Sequence, residues 1–284
     1  MTKTELVEKL KEQDLIQHWE SIKAVSRPCV RLQLVSEAEE DIPLGCSKIG
    51  GKPDLPAPYS WQNEQANLNQ QGAPLSFVAQ INLAEISTYD EQALLPKQGM
   101  LYFFFSADQE AWGYDSKSKG KFNVMYYDGE ISGLRRLEFP KELENYARFD
   151  PCIAVPQQEI SLPSWETNLL EFMTEAEQDV FFEIEEEDSI NKMLGYADPV
   201  QNDMELECEL VTNGIYYGDP AGYDAARAAE LEPNAVDWRL LLQVDSNEEC
   251  SMMWGDVGRI YFWIKEQDLL AKNFDKCWVI LQCC

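Results

Sequence analysis

Two polar pairs sit at the ends of apolar strands, and their residue types are suited to chemistry. Gln80 and Asn82 close the run Phe77-Val78-Ala79-Gln80-Ile81-Asn82, and Gln243 and Asp245 close Leu240-Leu241-Leu242-Gln243-Val244-Asp245. Residues two apart on a strand share a face, so each pair presents both side chains on one side. Such groups can orient a small polar ligand. Asp245, with Asp256 in the loop that follows, offers a carboxylate for general-base work or metal ligation. Lys48 and Lys192 would add positive charge to attract an anionic group. A plainer use exists for the two polar pairs and for the lysines. Buried amides usually satisfy backbone groups of adjoining loops, and the lysines can pair with Asp54 and Asp198, worth about 0–1 kcal/mol at a surface. On sequence alone both readings stand.

Other chemistries find less support. The chain has one histidine, His18, between Gln17 and Trp19 on a helical arm. Any Ser-His or Cys-His mechanism would have to use it, and a solvated helix residue is the expectation. The eight cysteines include no Cys-x-x-Cys pair, so neither a zinc site nor a disulfide framework is read. In apolar runs such as Pro28-Cys29-Val30 a free thiol acts as a small hydrophobe. Glu183, Glu185, Glu186, Glu187 and Asp188 follow one another along a predicted helix and fan outward, which suits a solvated face and not a calcium site. Gly50-Gly51 lacks the further glycine and following helix of a phosphate loop. No metal and no cofactor are expected. Cys283-Cys284 has the form of a prenylation signal, but it extends the apolar strand Trp278-Val279-Ile280-Leu281-Gln282, where a flexible tail would be needed.

The elements that hold these residues repeat. Phe77–Asn82, Leu101–Phe105 and Phe122–Tyr127 recur in order as Trp238–Asp245, Arg259–Ile264 and Cys277–Gln282. Alignment places Gln80 on Gln243, Asn82 on Asp245, Tyr102 on Tyr261 and Val124 on Val279, while Lys192, Gly195 and Asp198 echo Lys48, Gly51 and Asp54 at the same spacing. The expected fold is α+β and internally duplicated: two similar antiparallel β-sheet units packed together with flanking helices. Residues 1–27 form an N-terminal helical arm, opened by a Thr2/Glu5 capping box. Residues 28–163 form a first β-rich half, beginning with the alternating strand Cys29–Val35. An acidic helical connection spans 164–191, with helices over 165–172 and 175–187 and a buried stripe of Ala176, Val180 and Ile184. Residues 192–284 complete the second β-rich half, and the whole is one compact unit. Four prolines and two adjacent glycines exclude regular structure between Ser47 and Pro74, a stretch that opens with Lys48–Trp61. A helix is expected over 220–231. Any cleft should lie where the halves meet, between Lys48–Trp61 and Ser246–Asp256.

Composition limits the partners. With 51 acidic against 23 basic residues the formal charge is -28, which opposes binding to nucleic acid or anionic membranes and suits a basic protein partner. No run approaches the roughly 18 apolar residues of a spanning helix, and the first residues lack the apolar core of a signal peptide. A cytoplasmic location follows as an expectation; oligomeric state is not legible.

The blocks Lys48-Ile49-Gly50-Gly51-Lys52-Pro53-Asp54, Pro74–Asn82, Leu95–Phe105, Leu194–Pro199 and Leu240–Gln282 resemble the YwqG-like family of bacterial proteins, with Trp254-Gly255-Asp256-Val257-Gly258-Arg259-Ile260-Tyr261-Phe262-Trp263 the most specific stretch. The resemblance covers nearly all of the chain after the arm. It supplies no catalytic residues, since the family has no assigned function, and its association with bacterial toxin systems implies an immunity or partner-binding role. The functional expectation is an acidic cytosolic binding protein, toxin-neutralising or directed to another protein partner, with a small-ligand binder or enzyme using a polar cleft between the halves as the alternative.

Overall fold

The computed structural model describes residues 1–57, 59–65, 72–164, 168–184, 190–223 and 226–284. Twelve strands appear among them: β1 (Arg27–Ser36), β2 (Lys48–Ile49), β3 (Asp54–Pro56), β4 (Ser76–Asn82), β5 (Met100–Phe105), β6 (Phe122–Tyr127), β7 (Leu134–Arg136), β8 (Cys152–Ser161), β9 (Lys192–Met193), β10 (Trp238–Asp245), β11 (Arg259–Lys265) and β12 (Trp278–Gln282). The principal helices are α1 (Lys3–Glu12), α2 (Trp19–Val25), α3 (Leu83–Ile86), α4 (Glu175–Phe182), α5 (Glu205–Thr212), α6 (Ala226–Leu231) and α7 (Glu266–Leu270).

Ten strands form one antiparallel sheet in the order β12-β11-β10-β9-β1-β8-β2-β4-β5-β6, and β3 pairs with β7 in a small second sheet. The expectation of two packed units is therefore corrected to a single continuous sheet, because the long strands β1 and β8 pair along their whole length, from Arg27↔Ser161 to Ser36↔Cys152. Each of them crosses to strands far away in sequence. β1 pairs onward with β9, and β8 pairs onward with β2. The pairings correspond in detail: Leu32 N donates to Asn191 O at 2.8 Å, and Ala154 N donates to Ser47 O at 2.9 Å.

The apolar runs dictate this layering. β4, β5, β10 and β12 are buried on both faces, as continuous apolar strands must be when both sides of a sheet are covered. Register shifts interrupt β4 between Phe77 and Ala79 and β10 between Leu240 and Leu242. Such bulges bend a strand and increase its twist. The sheet curls until it is nearly closed into a barrel: Leu281 N of β12 donates to Trp112 O, in the segment between β5 and β6, at 3.2 Å. Inside, Phe103 meets Phe262 with ring centroids 5.0 Å apart, and Phe122 meets Trp278 at 5.4 Å. The other face of β4 and β5, through Phe77, Tyr102 and Phe104, packs with Leu55 and Leu134 of the small sheet.

Several local expectations change. The Thr2/Glu5 capping box is present, and Leu6, Leu10 and Ile22 of the arm pack with Phe181 and Ile184. His18 is less solvated than expected, since its ring bonds Glu177 at 2.9 Å. The proline-rich segment does hold regular structure, β2 and β3, because strands in a sheet need only partners across a ladder and not a favourable local composition. β8 runs to ten residues where a short strand is expected near Ile153–Val155. In the acidic connection α4 ends at Phe182 and buries Phe181; of the expected stripe, Ile184 is buried just beyond the helix, Val180 is half-buried and Ala176 is exposed. Glu183 is exposed, and Glu185, Glu186, Glu187 and Asp188 lie outside the described residues, as do 165–167 of the helix expected over 165–172. No helix among the described residues is long and apolar enough to cross a membrane.

Candidate functional site

The candidate residues fall into two networks. In the first, Lys48 of β2 lies opposite Gln80 of β4. Gln80 is fully buried: its Oε1 accepts from Asp54 N at 2.8 Å, and its Nε2 donates to Cys46 O at 2.9 Å and to Asp54 Oδ2 at 2.8 Å. Lys48, also fully buried, places its Nζ 2.8 Å from Glu39 Oε1 and 3.9 Å from Asp54 Oδ2. Arg136 completes the set, with Nε 2.8 Å from Asp54 Oδ1 and Nη2 donating to Ile42 O at 2.9 Å. Tyr102 donates its hydroxyl to Asp54 O at 2.6 Å, and Asn82 Nδ2 donates to Gly45 O at 2.8 Å.

The second network repeats the plan. Lys192 of β9 lies opposite Gln243 of β10. Gln243 Oε1 accepts from Asp198 N at 2.9 Å, and its Nε2 donates to Ile190 O at 2.9 Å and to Asp198 Oδ2 at 2.7 Å. Lys192 Nζ stands 2.6 Å from Asp198 Oδ2, and Tyr261 donates its hydroxyl to Asp198 O at 2.7 Å. Asp245 Oδ2 accepts from Arg259 Nε at 2.8 Å and from Ile190 N at 2.9 Å. Asp245 N donates to Asn191 Oδ1 at 3.0 Å, as Asn82 N donates to Ser47 Oγ at 2.9 Å.

Charge inside these networks is stabilised where it is paired. Burial pushes the Asp54 carboxyl up, but the Arg136 hydrogen bond, Lys48 and Gln80 outweigh it and hold the group below the usual range. Asp198 is likewise held low, by the charge and hydrogen bond of Lys192 and then by Gln243, against the effect of burial. Lys48 moves the other way from a paired surface lysine: burial lowers it more than Asp54 and Glu39 raise it. These are buried interactions, not the weak surface pairs that the sequence suggests.

The structure thus joins Gln80 with Lys48 and Asn82, and Gln243 with Lys192 and Asp245, but β2, β8, β1 and β9 stand between β4 and β10 in the sheet. Asp256 joins neither set; it is exposed on a turn, its carbonyl accepting from Cys284 N at 3.3 Å. The loops expected to bound a cleft do meet, and they fill the seam. Cys250 directs its thiol to Ile49 O, while Trp254 is fully buried against Phe105 and Phe149. Open space lies instead beside the second network. A cavity of about 170 Å³ is lined by Asp198, Pro199 and Arg259 together with Phe181, Phe182 and Ile190.

Sequence reasoning missed Arg136 and Glu39. Neither has a counterpart at matching spacing, so the repeat that points to Lys48 and Asp54 is silent about them. Among the described residues no group of three or more His, Cys, Asp or Glu side chains is placed to hold a metal ion. Comparison with curated proteins finds no match. The second network and, apart from Glu39, Ile42, Gly45 and Cys46, the first lie within one family match: residues 47–283 fit the model of the Domain of unknown function (DUF1963), and the chain belongs to that family.

Proposed function

We propose that this chain is an internally duplicated, YwqG-like protein that acts by binding a basic protein partner, as a toxin-neutralising immunity protein would. The distribution of charge carries this reading. Lys48, Arg136, Lys192 and Arg259 are matched within the two networks by Glu39, Asp54, Asp198 and Asp245. The formal charge of -28 therefore falls on the rest of the chain. A surface of one sign steers an oppositely charged partner and weakens its hold as salt rises. The duplication is supported by strand order that runs alike from either end of the sheet, by bulges at corresponding places in β4 and β10, and by the matched bonds of Gln80 and Gln243. In this reading the networks hold the fold and the acidic exterior does the binding.

The test is capture on the immobilised chain. A single basic protein retained in stoichiometric amount at low salt, released as salt rises and lost when exposed acidic residues are replaced by lysine, is the expected result; an empty column at low salt rejects the proposal. One observation favours a second reading, a small-ligand site. The cavity beside Asp198 and Arg259 sets charged groups next to the apolar walls of Phe181 and Phe182, a lining suited to a small molecule.

A further inference from the structure

Two of the eight cysteines, far apart in sequence, come together in the core. Cys152 opens β8 opposite Ile49 of β2. Cys250, in the loop between β10 and β11, directs its thiol to the carbonyl of that same Ile49, with Sγ to O 3.7 Å. The backbone fixes this placement, for Asp150 N donates to Cys250 O at 2.9 Å and Cys250 N donates to Asn247 Oδ1 at 2.8 Å. Cys152, whose sulfur also faces the Ser36 hydroxyl at 3.8 Å, and Cys250 therefore meet beside the same residue, Ile49. The interaction of the two thiols holds Cys152 below the ordinary thiol range in spite of burial and pushes Cys250 up. Cys29 and Cys277 are buried too, and there burial alone leads, raising both thiols.

We propose that Cys152 and Cys250 form an oxidisable dithiol, at which a low-molecular-weight disulfide converts the pair into an intramolecular disulfide tying the β10–β11 loop to β8. The Cys152 thiolate attacks one sulfur of the small disulfide, breaking its S–S bond and expelling one thiolate that takes up a proton. Cys250 then loses its proton and attacks the Cys152 sulfur of the mixed disulfide, forming the protein S–S bond and releasing the second small thiol. The two cysteines are oxidised by two electrons and the small disulfide is reduced by two. The route in is the loop itself: Glu248, Glu249, Ser251 and Met253 are exposed around Cys250, so local opening of this outer turn uncovers the pair.

The experiment incubates the full-length folded protein with glutathione disulfide and maps its peptides without reduction. The expected product is a Cys152–Cys250 cross-linked peptide, with a thermal midpoint that rises on oxidation and returns on reduction, because the bond closes a long loop in the unfolded chain. In Cys250→Ser the second step is blocked, and a glutathione adduct on Cys152 should accumulate in its place. If both thiols stay free while the exposed Cys284 takes up glutathione, or if the unmodified sequence stops at an adduct on Cys152, the proposal is overturned. Cys250→Ala gives the same readout should the serine variant not fold, and the map of the unmodified sequence decides the matter without either.

Discussion

The two polar networks are built on one plan and neutralise their charges differently. Around Gln80 the neighbouring ladder pair is Asn82 and Met100, neutral and apolar; around Gln243 it is Asp245 and Arg259, an ion pair. The second network thus carries a carboxylate that its own strand partner satisfies. In the first network the carboxylate needing an arginine is Asp54, fully buried, and Arg136 arrives from β7, 82 residues along the chain. Lys48 and Asp54 are sealed, whereas Asp198 keeps 16% of its side chain exposed and borders a cavity. The same hydrogen-bond frame can therefore be closed as a structural lock or left open at its edge, depending on where the counter-charge comes from.

The largest effect should come from separating the networks altogether. Because β1 needs β8 and β9 while β8 needs β2, residues 1–163 alone should expose apolar strand faces and show no cooperative melt. A monomeric fragment with a sharp thermal transition would refute this.

Next comes Arg136→Ala, which leaves the carboxylate of Asp54 buried without its arginine. A loss of about 3–5 kcal/mol is expected in urea unfolding, largely recovered in the double variant with Asp54→Asn. Loss below about 1 kcal/mol would mean that Lys48 alone suffices.

Converting the second network to the first tests whether the difference lies in one ladder pair. Arg259→Met and Asp245→Asn should each destabilise, and together they should cost less than their sum by about 1–3 kcal/mol. Strict additivity would show that Arg259 acts mainly through its bond to Asp198 O, 2.9 Å away.

The smallest effect is in pH. Asp54 and Asp198 are both depressed in the folded state. Such groups contribute stability fully present above the unfolded value of about 3.9, and it is lost as pH falls through the lower folded values. Denaturation midpoints should accordingly be insensitive to these groups between about pH 5 and 7 and fall below about pH 4. The Asp54→Asn/Arg136→Ala variant should show a shallower acid limb, and an unchanged limb would remove Asp54 from the account.

Much of the frame is legible in the residues. Period-two alternation and continuous apolar runs mark β1, β4, β5, β6, β10, β11 and β12, and the Lys-x-x-Gly-x-x-Asp echo marks both networks, because these depend on local geometry and on spacing along one strand. α5 escaped, since its buried face includes Glu207 and Glu209, whose burial is made tolerable only by distant partners such as Lys265, 2.6 Å from Glu209. The use of the polar residues escaped as well. Whether Gln80 and Gln243 bind a ligand or a loop depends on which backbone groups lack partners, and that is known only once Cys46, Asp54, Ile190 and Asp198 are in place.

By itself the sequence determined the strand-forming segments, the paired polar positions and the strong negative charge, all properties of residues near one another in the chain. Tertiary structure alone decided that β1 and β8 join everything into one sheet and that Arg136 seals Asp54. It also decided that Cys250 and Cys152 meet beside Ile49. The physical reason is the same for all three. Strand pairing and buried-charge neutralisation are satisfied by whichever partner the closed fold brings within about 3 Å, and sequence distance carries no information about that choice.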